Sequence, residues 1–278
     1  MIDSFEPHAE AMLEAGVWKC RGAALPLLFA LERAMAHHAQ ALIAAAPAMT
    51  KYGEQKYVLH RGALPVKPAC VDLDRFHPRH RGNEALRREL GLQDKIVCVC
   101  AGKFGGIYLE DEVFTLLAAA YAQWGDRFRV LLLTSHAPET LATWAARAHV
   151  PAACMVVRFV SHAAIPQYMG LADFALTPVK PAASKRACSP IKDGEYWALG
   201  LPVIITEGIS NDSELIEHAG CGVLWRDYSA EGCRATMAAM AALLAGDRAA
   251  LGAKSRRLAE EYRSFEIARR VYADVYGS

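Results

Sequence analysis

The sequence predicts an α/β fold from Lys95 onward, a parallel sheet with helices on both faces, preceded by a mostly helical segment. Three observations carry that expectation. Short aliphatic runs without polar alternation recur along the chain, as strands buried on both faces do. Helical patterns of roughly 10–15 residues separate them, the spacing of βαβ units. Ser189–Thr206, SPIKDGEYWALGLPVIIT, joins the two kinds of element with explicit punctuation.

In chain order, residues 1–66 carry helical pattern over Ala9–Ala15 and Leu25–Ala46 and no clear set of alternating strands. Val66–Pro78, VKPACVDLDRFHP, reads as a connection and a turn, and Glu84–Leu90 as a short helix stopped by Gly91. Strands follow at Ile96–Ala101, Phe128–Thr134, Met155–Val160, Phe174–Thr177, Val203–Thr206 and Gly222–Trp225. Helices lie between them at Asp111–Gln123, Glu139–His149, Ile165–Gly170, Pro190–Leu199 and Asp212–His218. Three more close the chain: Ala230–Leu244, Arg248–Tyr262 and Phe265–Tyr276. In the helix after Ser189, the serine is placed to N-cap and Pro190 suits the first helical position. Gly200 and Pro202 end it, and Val203-Ile204-Ile205 is a β-branched run.

Composition narrows the function classes. The 278 residues include 31 Lys+Arg against 30 Asp+Glu, so a net charge of +1 gives no general pull toward nucleic acid. No apolar run reaches the roughly 18 residues of a membrane span. The start of the chain, with Asp3 and Glu6, lacks the basic-then-apolar pattern of a signal peptide. The 8 cysteines show no C-x-x-C and never cluster with histidines at ligand spacing, so they read as small apolar fillers in a reducing cytosol and no metal is expected.

In a parallel sheet, ligands bind beyond the carboxyl ends of the strands. Five candidate sites follow, each with a plainer alternative. Gly102-Lys103-Phe104-Gly105-Gly106 leaves the first strand; its glycines would let backbone approach a phosphate and Lys103 would add charge, or it is a tight turn. The helix start at Ser189, Pro190 and Ile191, with Lys192, suits phosphate, and Glu195 one turn on suits sugar hydroxyls. A simple i,i+3 ion pair between Lys192 and Glu195 is the alternative. Ser210 and Asn211 open another helix, with Glu214 completing a capping-box pattern, and read as a phosphate-holding loop or an ordinary cap. Ser161 begins a loop whose backbone could read a nucleobase edge. Glu6 and His8 could do acid–base work, or form an acidic start to a helix.

Taken in order, several of these segments resemble those of the glycosyl transferases group 1. The resemblance rests on PACVDLDRFHP, the strand and AGKFGG turn, FVSHAAIPQYMGLADFALTP, SPIKDGEYWALGLPVIIT, ELIEHAGCGVLW and the helix after Ser264. It implies a GT-B-type C-terminal Rossmann-like domain plus a mostly helical remnant of the N-terminal domain. The implied boundaries are 1–66 for the acceptor-side remnant, 67–263 for the donor-binding domain and 264–278 for a helix packing back toward the N-terminal part. The implied activity is retaining transfer of a sugar from a UDP-sugar or GDP-sugar to a sugar, lipid or small-molecule acceptor. It implies no cofactor and no metal, a cytoplasmic setting with an option of peripheral contact at the inner membrane face, and a role in glycan or cell-envelope polysaccharide synthesis. By motif, Gly102, Lys103, Gly105 and Gly106 fall at the donor phosphates, with Ser189, Pro190, Ile191 and Lys192 on the phosphate and nucleoside side. Glu195 matches the ribose-holding second glutamate of the family's pair, and His8 or Glu6 an acceptor-side group.

Two departures stand out. The first glutamate of that pair, eight positions before Glu195, falls at Ala187. The N-terminal part is also far shorter than the roughly 150-residue domain expected of such a partner half. A non-catalytic nucleotide-sugar-binding module, or one half of a split transferase needing a partner chain or self-association, is therefore the competing reading. A sugar-nucleotide epimerase of similar fold would need a catalytic histidine and carboxylates that the C-terminal part does not offer.

Overall fold

A computed structural model describes residues 1–4, 7–16, 24–60 and 62–277. The chain opens with β1 (Ile2–Ser4), α1 (His8–Glu14), α2 (Ala24–His38), β2 (Leu42–Ala44) and α3 (Ala48–Tyr52). β1 and β2 pair in parallel, Ile2 opposite Leu42 and Ser4 opposite Ala44. The single helix expected over Leu25–Ala46 is thus a helix and a strand. His38 ends the helix by returning its Nδ1 to the Ala34 carbonyl at 2.8 Å. The apolar run after it fits either element by pattern, and the pairing partner two helices upstream decides. A small core of Ala36, Leu42, Met49, Tyr57 and Leu59 forms here, and Ala187 from the other part of the molecule completes it.

A connector carries α4 (Glu84–Glu89), which Asn83 caps through the Leu86 N–H at 3.1 Å. Arg81 and Arg87 fasten it to the sheet region through the Gly200 and Leu171 carbonyls, both at 2.6 Å. A guanidinium with several donors suits this task of collecting orphan carbonyls.

The sheet region follows as β3 (Ile96–Ala101), α5 (Asp111–Trp124), β4 (Phe128–Leu133), α6 (Pro138–Arg147), β5 (Met155–Arg158) and α7 (Ile165–Met169). Then come β6 (Phe174–Thr177), α8 (Ile191–Ala198), β7 (Val203–Thr206), α9 (Asp212–Ala219), β8 (Gly222–Trp225), α10 (Ala230–Ala245), α11 (Arg248–Tyr262) and α12 (Phe265–Gly277). The six strands lie in the order β5-β4-β3-β6-β7-β8, all parallel. α10 packs on α5 and α11 on α8, so the sheet is covered on both faces and its central strands β6 and β7 are wholly buried. Cys98 and Cys100 fill this core unbridged, and burial pushes the Cys100 thiol up to about 12.

Sheet order reverses between β3 and β6, the place where such folds open a crevice at the strands' carboxyl ends. α12 crosses back to β1, where the Tyr272 hydroxyl donates to Asp3 at 2.8 Å and Lys67 pairs with the same carboxylate at 3.1 Å. No residue of α12 is fully buried.

Candidate functional site

The turn after β3 hangs on one buried ring. Phe104 packs among Phe114, His136 and Trp144, and its N–H donates to His136 Nε2 at 2.9 Å. On the near side the Ala101 N–H donates to the Tyr196 hydroxyl at 3.0 Å and the Gly102 N–H to the Leu133 carbonyl at 2.9 Å. Gly102, Gly105 and Gly106 have φ of 132°, 77° and 62°, a left-handed path that side chains resist. Gly102 and Lys103 are thereby left exposed. His136 and Tyr196 were not singled out in the sequence: His136 belongs to no motif, and Tyr196, inside SPIKDGEYWALGLPVIIT, has no charge or helix-start position to mark it. The signal that could have found them is position: one follows β4 by three residues, the other lies one turn into α8.

Gly102 and Lys103 face a cleft of about 240 Å³ at the carboxyl ends of β3, β4 and β5, which Gly105, Gly106 and Glu195 do not line. Gly102, Lys103, Ser135, Phe159, Val160 and Lys192 line it. Two lysines and a glycine turn, drawn from segments about 90 residues apart, therefore meet at one place. Lys192 also pairs with Glu195 at 2.8 Å, so the simple ion pair is formed as well. Glu195 is 3% exposed, and its burial holds the lysine at the cleft rim.

Other predicted residues are placed differently. α8 begins at Ile191 with Pro190 as its N-cap, and no side chain caps it. Ser189 is not the cap: its hydroxyl accepts from the Ala69 N–H at 3.0 Å and from the Arg263 guanidinium. Competing donors from two distant segments outbid the local helix N–H groups. The capping box at Asn211 is also not formed; Asn211 accepts from the Ser210 hydroxyl at 3.1 Å instead. Ser210 has φ of 53° and its N–H donates to the Lys185 carbonyl at 2.9 Å. Ile191 and Ser161 are exposed, and neither lines the cleft. His8 lines a separate, mostly apolar cavity of about 210 Å³ with Glu32, Met35 and Tyr57. Glu6 lies outside the described residues. Ala187, where a glutamate was expected, is buried against the N-terminal core.

Behind the cleft sits a buried charge cluster. Arg263, 2% exposed, holds both oxygens of Asp212 at 2.5 Å, and its guanidinium lies 5.3 Å from the centre of the Trp197 ring. Asp193, fully buried, accepts from the Thr177 hydroxyl at 2.5 Å. Burial drives the Asp193 carboxyl well above the ordinary carboxylate range, and the neighbouring Asp212 charge pushes the same way. Burial also raises Asp212, while Arg263 opposes it. Burial thus favours the neutral form of Asp193 beside the Arg263–Asp212 ion pair. Gly194 is needed here because a Cβ would come within 3.0 Å of Arg263 and Val71. The cluster ties the starts of α8 and α9 to the connector, whose Val71 N–H donates to the Arg263 carbonyl at 2.8 Å.

Among the described residues, no group of three or more His, Cys, Asp or Glu is placed to hold a metal ion, and no helix is long and apolar enough to cross a membrane. No protein-family model and no curated protein matches the sequence. Solved structures do match. WaaG, a glycosyltransferase involved in lipopolysaccharide biosynthesis, aligns with a TM-score of 0.67 at 17% identity, over 85% of this chain and 63% of its own. A glycosyltransferase from Rickettsia africae aligns at 0.65 and 16%, over 85% of this chain and 63% of its own. Anabaena Alr3699/HepE in complex with UDP-glucose aligns at 0.71 and 15%, over 90% and 67%. The chain thus spans 63% of the length of the first two. Over the part of those proteins that it spans, the chain has the GT-B glycosyltransferase fold.

Proposed function

We propose that the chain binds the nucleotide diphosphate of a nucleotide-sugar in the cleft at the carboxyl ends of β3, β4 and β5, and that it serves transfer of the sugar with retention. The observation that carries this is the meeting of Gly102, Lys103 and Lys192 in that cleft. A similar fold holding UDP-glucose supports it. Lys103 and Lys192 would take up the charge of the departing diphosphate, preorganised electrostatics of the kind that dominates such catalysis. Glu195, held in place by burial, would accept from ribose hydroxyls. We assign the donor to a domain over residues 67–263, the acceptor side to residues 1–66 and a returning helix to 264–278. Of the acceptor-side candidates, His8 is the described one, and it opens on the cavity beside Tyr57.

One observation favours the second reading, a donor-binding half that needs a partner. Ala187, buried against the N-terminal core, stands where a glutamate is expected to touch the donor sugar. Calorimetric titration with UDP, GDP and their sugar conjugates tests the donor site. Wild type should bind one of them. Lys103→Ala, Lys192→Ala and Glu195→Ala should each weaken that binding by about 1–3 kcal/mol, the usual cost of losing a charged hydrogen bond. No binding by the folded chain would end the reading. Binding without sugar release in the presence of acceptors would select the partner-dependent alternative.

A further inference from the structure

Phe159 is 82% exposed, more than any other large apolar side chain among the described residues. Single exposed apolar residues are common and need no explanation in general. This one lines the cleft that also contains Lys103 and Lys192.

Its backbone is well anchored. The carbonyl of the preceding Arg158 accepts from the Thr134 N–H at 3.1 Å. Further on, the Arg75 guanidinium donates to the His162 carbonyl, and the Ala164 N–H closes a turn onto Ser161 at 2.9 Å. A fixed loop with a bare ring is a preorganised apolar surface, since no ordering is left to be done when a ligand arrives.

Sheet order sets the distance. β5, which Phe159 directly follows, is two strands from β3, which Gly102 and Lys103 directly follow. Two strand spacings are about 10 Å. The cleft is thus apolar at one end, with Phe159, Val160 and Ile165, and cationic at the other. A ligand that fits has an anionic group and a planar ring at opposite ends.

Building on the proposal that the cleft takes a nucleotide diphosphate, we propose that Phe159 is the platform on which the base stacks. Every base offers a π-face, so such a contact gives affinity without reading an edge. The platform would therefore accept uracil and guanine alike, and selection between them would fall to other groups.

The test compares wild type with Phe159→Ala, Phe159→Leu and Phe159→Trp against UDP, GDP and inorganic pyrophosphate. Alanine should weaken both nucleotides by about ten- to a hundredfold, the range for one aromatic–base stack. Pyrophosphate, which has no base, should bind all four proteins within about twofold. Leucine should recover part of the loss, and tryptophan all of it, with its own fluorescence quenched by the nucleotide. Unchanged nucleotide affinity in Phe159→Ala would overturn the platform while leaving the phosphate site standing. An equal loss for pyrophosphate would overturn it too, since the residue would then act on the loop and not on the base. No binding of any of the three ligands by wild type would overturn the platform together with the nucleotide reading beneath it.

Discussion

The sheet region and the N-terminal region obey the same chemistry with unequal results. From β3 to α11, each strand has neighbours and each helix a sheet or helix to cover, and one continuous core links them. From β1 to α3, a two-stranded parallel pair packs on a small core of its own, and α2 exposes Leu27, Leu31 and Met35 on one stripe. Parallel strands normally occur covered on both faces. The difference teaches that a local pattern becomes a stable element only where neighbours satisfy it. The small N-terminal core closes with Ala187, borrowed from the sheet region.

The largest effect in breaking the comparison is expected at the residue that ties the sheet region to the connector. Arg263→Ala would leave Asp212 buried without its cation. Removing one partner of a buried pair costs about 3–5 kcal/mol, so urea unfolding should show a loss of that order. A loss below about 1 kcal/mol would mean that water or a neighbour replaces the guanidinium. Loosening at the connector should appear as faster amide exchange at Val71, whose N–H depends on the Arg263 carbonyl.

A paired core deletion sharpens it further. Leu131→Ala, in fully buried β4, should cost about 3–5 kcal/mol as a cavity that rigid neighbours cannot fill. Leu42→Ala, in the smaller core, should cost less, about 2 kcal/mol, because that site can collapse. Hydrogen exchange should show the N-terminal region opening before the sheet in wild type, and more so in Leu42→Ala. Equal costs and a single opening step would erase the distinction between the regions.

The smallest effect expected is a pH slope. Burial raises the Asp193 carboxyl in the folded chain, whereas an unfolded aspartate ionises above about pH 4. Its folded pKa is raised, so its contribution to stability is full below the unfolded value and is lost as pH climbs toward the folded one. Asp193→Asn, a neutral shape mimic, should remove that slope. The variant should gain on wild type by up to about 1.4 kcal/mol per pH unit, a few degrees in melting temperature, from about pH 5 until the folded-state value is reached. A variant that loses ground with rising pH would show that Asp193 is ionised in the native state.

Much of the sheet region was legible because its signals are local. Ile96–Ala101, Phe174–Thr177, Val203–Thr206 and Gly222–Trp225 are strands with the bounds that their apolar runs indicate. Leu42–Ala44 was not legible, since an alanine-rich apolar run suits helix and strand equally and its partner Ile2–Ser4 is remote. In the cleft, glycines and lysines announced Gly102, Lys103 and Lys192. Phe159 stood only as an apolar residue of the strand expected over Met155–Val160, His136 behind the turn carries no pattern, and Ser189 was misplaced because its hydroxyl is taken by Ala69 and Arg263.

The sequence by itself determined the alternation of strands and helices, because apolar runs of strand length and Gly-Pro stops act within a few residues. It also determined which loops bear cationic and glycine-rich chemistry. Tertiary structure alone decided the strand order β5-β4-β3-β6-β7-β8 and with it the cleft. It decided too that Asp193, Asp212 and Arg263 share one buried site. Pairing, desolvation and charge compensation depend on distance in space, and residues far apart in the chain acquire that distance only by folding.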